Sequence, residues 1–129
     1  MNTNQKISFL LADYAVRIIA ARHFPELAKL EPIRSIETAR VAYTAIYAIY
    51  DINYKYDINY NYDSIITVII DVVDIVRYNP PTISDTAEVA EYVADTVAYA
   101  TIANIINSAE YVTNLRTLID IAINPNRYW

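Results

Sequence analysis

The sequence predicts an all-α protein, a single-domain antiparallel helical bundle of about five helices spanning residues 1–129. Two observations lead to this prediction. The 129-residue chain has no glycine, whereas average usage would give roughly nine, and tight β-hairpins depend on glycine more than helices do. In addition, most of the chain repeats apolar residues every three or four positions, which is the spacing of one helix face. Where helices end, Asn can replace glycine.

Composition narrows the class of protein. Hydrophobic residues make up 55% and charged residues 19% of the chain, which is typical of a globular domain and not of a disordered one. The absence of cysteine excludes disulfides, thiol catalysis and thiolate metal sites, and suits the cytoplasm. A net charge of −5 argues against a nucleic-acid binder and is better matched to a basic partner, although acidity of this size is more simply explained as an aid to solubility. No apolar run has the roughly 18 residues of a membrane-spanning helix, so we expect no membrane partner. With no cysteine, one histidine and no carboxylates clustered at ligand spacing, we also expect no metal or organic cofactor.

The first two helices are predicted on either side of a proline-containing linker. Apolar positions at helical spacing indicate a first helix over about 4–23, and Pro25 then stops or redirects the chain. The second helix is expected to begin near Pro32, a residue that suits the first turn. Its apolar stripe is formed by Ile36, Ala39, Tyr43, Ile46, Tyr47 and Ile49.

Residues 50–63 change the pattern. Their sequence is YDINYKYDINYNYD, in which every even position is Tyr or Ile and every odd position is Asp, Asn or Lys. Alternation with period two is typical of a strand, but the chain has no second alternating run of comparable length. The segment is therefore either a tyrosine-rich connection or helix extension, or else a hairpin or edge strand.

A third helix is predicted over 65–77, with Ser64 as its N-cap. Thr67, Asp71 and Asp74 form one narrow polar stripe, and nearly all other positions are Ile or Val, so most of the circumference should be buried. The residues expected to be almost fully buried are Ile66, Ile69, Ile70 and Val73.

Two further helices follow the break at 78–81. Thr82 or Ser84 is expected to cap a long fourth helix. Its core face should be Val89, Val93, Val97 and Ala100, and an adjacent strip of Ala87, Ala90, Ala94 and Ala98 should allow close helix packing. Around 104–108 this helix either continues or breaks. A last amphipathic helix with Tyr111, Leu115, Leu118, Ile119 and Ala122 ends at 124–126.

The sequence contains no catalytic constellation, and we expect no enzyme. His23, the only histidine, has no nucleophile context and is best explained as a cation at a helix C-terminus. Asp71 and Asp74 are one turn apart, which would suit a metal or acid–base pair but is more simply a solvated stripe. Asp51, Asp57 and Asp63 recur every six residues, too far apart for a calcium loop, and the loop's glycine is missing.

Tyrosines are the best candidates for function, because Tyr gives a large contact area at low entropy cost and is enriched at interfaces. They could equally cover the protein's own core. Tyrosine beside acid suits a basic, apolar partner surface. The predicted partner-binding residues are Tyr50, Tyr54, Tyr56, Tyr60, Tyr62, Asp51, Asp57 and Asp63.

Two parts of the chain resemble a family of small helical immunity proteins found beside bacterial polymorphic toxins. Residues 11–15 read LADYA and precede FPE at 24–26, and residues 32–40 read PIRSIETAR. These resemble a first helix, an acidic proline-containing linker and the family's second helix. Residues 100–111 resemble an alanine-rich family helix that ends in tyrosine.

The chain departs from that family at two places. The family's late helix carries histidines and a glycine, where this chain has Thr101, Asn104, Ile105 and Ser108, so a site built on those histidines would be absent. Residues 50–63 have no counterpart in the family pattern. The resemblance implies a helical, non-enzymatic protein that binds and neutralises a toxin.

A second class of function also fits the sequence. A self-associating structural protein, or an accessory protein of a virus or mobile element, could use the tyrosine segment and apolar helices to form a homo-oligomer. Measuring the mass in solution at low and high concentration would separate a stable oligomer from a monomer.

Overall fold

The computed structural model describes residues 1–53 and 65–129. Its main helices are α1 (Thr3–Asp13), α2 (Ile36–Asn53), α3 (Ile65–Val76), α4 (Ile83–Ile102) and α5 (Ser108–Ile123). Within the described residues there is no strand, so the predicted all-α bundle is confirmed. The N-cap expected at Ser64 lies outside these residues.

The first predicted helix is continuous but changes its winding. Asn2 and Gln5 form a capping box that starts α1. The chain continues without a break as a π-helical segment, Tyr14–Ile19, and a 3-10 turn, Ala20–Arg22. The short helix Pro25–Lys29 then redirects the chain, as the proline indicated.

Local hydrogen bonds place the start of α2 four residues after Pro32. The Ser35 hydroxyl accepts a bond from the Thr38 N–H at 3.1 Å, and the Thr38 hydroxyl accepts bonds from the Ser35 and Arg34 N–H groups at 3.0 and 2.9 Å. Asp13, which is buried, holds the preceding linker by accepting the Ile33 N–H at 2.9 Å. The linker therefore stays extended until Ser35 caps the helix.

Helix α3 lies at the centre of the bundle, packed against α1, α2 and α4. Ile66, Ile69 and Val73 are buried as predicted, but Ile70 is only partly buried and packs at the edge of the core. The reason is that the core face of α3 is centred between its neighbours, so Ile70 points towards the outer polar stripe. Four other residues, Ile65, Val68, Val72 and Val76, complete the buried face.

Helix α4 begins at Thr82, whose hydroxyl accepts the Asp85 N–H at 3.2 Å. Its predicted core face, Val89, Val93, Val97 and Ala100, is completely buried. The adjacent alanine strip does not serve as a packing face: Ala87 and Ala90 are exposed, and Ala94 and Ala98 are half-buried. The valines already fill the contacts with α1 and α3, which leaves the strip on the outside.

After α4 the chain breaks and reverses at Asn104–Asn107, and Asn107 caps α5 in a capping box with Glu110. Helix α5 buries only Leu118 and Ile121. Ile119 and Ala122, which the pattern assigned to the apolar face, are exposed, because the register of α5 on the bundle turns them to the outside.

The helices alternate in direction around α3. Arg40, near the start of α2, contacts Arg77, just after α3, so these helices are antiparallel. Thr86, near the start of α4, bonds to Ser8 and Asn4 of α1, so α1 and α4 begin at the same end of the bundle. One outer face of the molecule is therefore built from α2, α3 and α4.

Candidate functional site

Tyrosines line one side of α2 beside the end of α3. Tyr43, Tyr47 and Tyr50 are spaced by four and three residues, which places them one above the other on a helix. Their ring centroids are 5.6 Å apart for Tyr43–Tyr47 and 5.5 Å apart for Tyr47–Tyr50. Tyr78 continues the row across Arg77. We refer to Tyr43, Tyr47, Tyr50 and Tyr78 as the tyrosine ladder.

Arg77 lies between Tyr43 and Tyr78 of the tyrosine ladder. The Arg77 guanidinium carbon lies 3.8 Å from the Tyr43 ring centroid and 3.9 Å from that of Tyr78. Its Nε donates to Asp74 Oδ1 at 2.8 Å. The backbone also fixes it, since Arg40 Nε donates to the Arg77 carbonyl at 3.2 Å. The cation is thus held between two aromatic faces and neutralised by a carboxylate.

The four tyrosines of the ladder differ in how far their side chains are exposed to solvent. Tyr43 and Tyr50 are half-buried against the core, while Tyr47 is 40% and Tyr78 56% exposed. Burial raises the pKa of the Tyr43 hydroxyl, although Arg77 acts in the opposite direction. The hydroxyl therefore stays protonated at neutral pH and is a neutral hydrogen-bonding group.

Carboxylates surround Tyr92 on the neighbouring part of the same outer face. The acidic side chains of Glu88, Asp71, Glu91 and Asp95, with some burial, raise the pKa of the Tyr92 hydroxyl. Burial raises the pKa of Asp71, with additional effects from Asp74 and Glu88. The α3–α4 face is therefore strongly negative. We call this group the acidic band: Asp71, Asp74, Glu88, Glu91 and Asp95.

The ladder and the acidic band form one surface. Asp74 of the acidic band connects the two, because it accepts a hydrogen bond from Arg77 and its charge helps to raise the pKa of the Tyr43 hydroxyl. Asp71, one turn before Asp74, interacts in turn with Glu88 and Tyr92 on α4. Aromatic rings from α2 and carboxylates from α3 and α4 are thus presented together.

Most residues of the predicted partner site lie outside the described part of the chain. Tyr50 and Asp51 are described, and both belong to the last turns of α2, so the alternating pattern begins as a helix extension. The predictions for Tyr54, Tyr56, Tyr60, Tyr62, Asp57 and Asp63 stay predictions. Sequence reasoning assigned Tyr43 and Tyr47 to a helix stripe and missed the row that they form with Tyr50, although the 43–47–50 spacing already contained it.

The other polar residues that the sequence offered as candidates are His23, Asp71 and Asp74. His23 is exposed after the first helix, with its ring 4.6 Å from that of Phe24. Asp74 is bonded to Arg77, whereas Asp71 is exposed on the outer stripe. Across residues 1–53 and 65–129, no three His, Cys, Asp or Glu side chains are placed to hold a metal ion.

Two further surface features are present. A cavity of about 300 Å³ lies between the π-helical segment and α5, lined by Ile18, Asn114 and the Arg22–Glu110 ion pair among others. The outer side of α5 exposes Val112, Ile119 and Ile123. No helix in the described part of the chain is both long enough and apolar enough to span a membrane.

Comparisons of the chain with family models, with curated proteins and with solved structures find no match.

Proposed function

We propose that this protein is a non-enzymatic binding module that captures a partner protein through the tyrosine ladder. The observation that supports this most is the row of three tyrosines on α2, which Arg77 connects to Tyr78 in the turn after α3, with Tyr47 and Tyr78 exposed to solvent. Tyr and Arg are enriched among the residues that dominate interface energetics. Rings supported from below lose little entropy when a partner covers them.

The resemblance to immunity proteins supports a more specific role, in which the partner is a toxin and binding neutralises it in the cytoplasm. The acidic surface is consistent with a basic toxin domain. In this proposal the tyrosines predicted for partner binding at 54–62, which lie outside the described residues, also take part in recognition. Tyr50 supports this, because it is the last ladder tyrosine on α2 and the first residue of the repeat in the sequence.

A second candidate function, self-association, is favoured by the exposed apolar side of α5. Ile123 is 70% exposed, and Ile119 and Val112 lie on the same side of the helix. A homo-oligomer that buries this side would explain why α5 contributes only Leu118 and Ile121 to the core. The two candidates use different faces, so paired variants can separate them.

The experiment compares a ladder variant, Tyr47→Ser with Tyr78→Ser, with an α5 variant, Val112→Ser with Ile119→Ser. Both remove two exposed apolar side chains. The partner to use is the product of the open reading frame adjacent to the gene, with binding measured by calorimetry and protection measured as growth on co-expression. We expect the ladder variant to weaken binding by at least about 30-fold, equivalent to one hot spot of about 2 kcal/mol, and to lose protection.

The α5 variant should bind and protect like the parent, and both variants should keep the parental melting temperature. Binding by a stable ladder variant that equals the parent's would contradict the proposal. Light scattering tests the second candidate: a concentration-dependent dimer that only the α5 variant abolishes would support self-association.

A further inference from the structure

Arg77 shows what kind of side chain the tyrosine ladder accommodates. Its guanidinium carbon lies 3.8 and 3.9 Å from the ring centroids of Tyr43 and Tyr78, one of its amino groups donates to the Tyr78 hydroxyl, and its Nε donates to Asp74 at 2.8 Å. Arginine suits this arrangement better than lysine, because the planar guanidinium stacks on a ring while its edge N–H groups remain free for a carboxylate. The contacts of Arg77 with two tyrosines and a carboxylate therefore show how an arginine can bind to this surface.

We infer that the outer face of the ladder docks an arginine-bearing basic segment of the partner protein, with a partner guanidinium on Tyr47 and the acidic band as the opposing charge. This inference rests on the proposed function and names the chemistry of its partner. Tyr47 is the exposed rung next to the one that Arg77 covers. A second guanidinium there would repeat the stacking seen at Tyr43.

The register of α2 and α3 sets which carboxylate lies at the level of that rung. Because Tyr43 lies beside Arg77 and the two helices are antiparallel, Tyr47 lies one turn further back along α3, at the level of Asp74. Asp71 is exposed on the side of the stripe that faces α4, where it interacts with Glu88 and Tyr92. Asp74 is thus in register with a cation on Tyr47, and the rest of the acidic band supplies negative charge further across the same face.

The negative charge of the acidic band favours a basic segment of the partner at this surface. Among the described residues, Arg77 is the one cation that acts on the Tyr43 hydroxyl, and Asp74 already neutralises it, whereas Asp71, Glu88, Glu91 and Asp95 all act on Tyr92. Such a surface attracts a basic segment and accelerates its association at low salt. Phosphate groups and acidic peptides would be repelled.

The first test uses two peptides of equal charge, octa-arginine and octa-lysine, titrated onto the full-length protein at low and physiological salt. We expect octa-arginine to bind about two- to fivefold more tightly, the range of an exposed cation–π contact. Tyr47→Leu keeps an apolar side chain but removes the aromatic face, so it should abolish the arginine preference. Tyr111→Leu, a half-buried tyrosine on α5, is the control and should retain it.

The second test compares two triple variants that lose the same amount of charge. One neutralises the band with Asp71→Asn, Glu88→Gln and Glu91→Gln. The other neutralises three exposed carboxylates elsewhere, with Glu26→Gln, Glu31→Gln and Glu37→Gln. We expect octa-arginine affinity to fall about tenfold in the band variant and less than about twofold in the control.

Equal binding of the two peptides, an arginine preference that survives Tyr47→Leu, or equal losses in both triple variants would each overturn the inference. Failure of octa-arginine to bind at all would overturn it too. These outcomes are separate from the proposed function, which fails only when a protein partner binds the stable Tyr47→Ser, Tyr78→Ser variant as well as the parent.

Discussion

Asn104 shows at the scale of one residue how this chain reverses direction without glycine. Its φ of 60° makes it the one positive-φ residue among those described. The next two N–H groups, of Ile105 and Ile106, both donate to the Ala100 carbonyl, at 2.9 and 3.2 Å. These bonds satisfy a carbonyl at the end of α4. The left-handed region costs Asn less free energy than it costs most other non-glycine residues. The expectation that Asn can replace glycine at helix ends is confirmed here.

At Asp71 the local charge opposes folding. Burial, Asp74 and Glu88 raise the pKa of this carboxyl above its ordinary value. The folded state therefore binds the proton more tightly than the unfolded state, so the stability contribution of Asp71 is favourable at acidic pH and is lost as pH rises through the folded-state pKa.

We therefore expect Asp71→Asn to raise the melting temperature at pH 7, because it removes an ionised group that its neighbours disfavour. The gain should disappear at about pH 3, where the carboxyl is protonated in both states. Thermal melts of the parent and variant at both pH values measure this. Glu26→Gln, at an exposed position on another face, is the control. An equal gain at both pH values would contradict the electrostatic explanation.

At the scale of one element, α3 shows what periodicity predicts well and what it does not. The polar stripe of Thr67, Asp71 and Asp74 correctly indicated a helix with most of its circumference buried. It did not determine where the edges of the buried face lie, and Ile70 is at such an edge. The exact width depends on how far α2 and α4 wrap around α3, which is a tertiary property.

Truncations on α3 test this difference. Ile66→Ala should cost about 2–5 kcal/mol of unfolding free energy, since the side chain is fully buried and leaves a cavity. Ile70→Ala should cost about 1 kcal/mol, because solvent can fill the space and Ala has the better helix propensity. Urea titrations followed by circular dichroism give both values. Equal costs, or a cost below about 0.5 kcal/mol at Ile66, would contradict the central position of α3.

At the scale of the whole molecule, the first helix and the linker before α2 contact the C-terminal turn. Lys6 Nζ donates to Asn126 Oδ1 at 3.0 Å, and the Arg34 guanidinium carbon lies 5.4 Å from the Trp129 ring centroid. Phe9 near the beginning and Ile121 near the end belong to one core. These contacts connect α1, the linker before α2 and the C-terminal turn.

Helices that share one core should unfold in one step. Trp129 is the only tryptophan, so its fluorescence reports on the C-terminal contacts, while far-ultraviolet circular dichroism reports on all helices. We expect the urea transitions from the two probes to coincide. A fluorescence transition at clearly lower urea would mean that the C-terminal contacts open separately from the bundle.

The sequence by itself determined the all-α class, the approximate span of each helix and the buried valine face of α4, because these follow from local spacing, caps and the missing glycine. Only the tertiary structure decided that Arg77 and Tyr78 from beyond α3 meet Tyr43 from α2, and that carboxylates of α3 and α4 share a face. It also decided that Ile119 and Ala122 are exposed. The physical reason is that periodicity defines which residues share one helix face, whereas the direction of that face, and what lies opposite it, depends on how the helices pack.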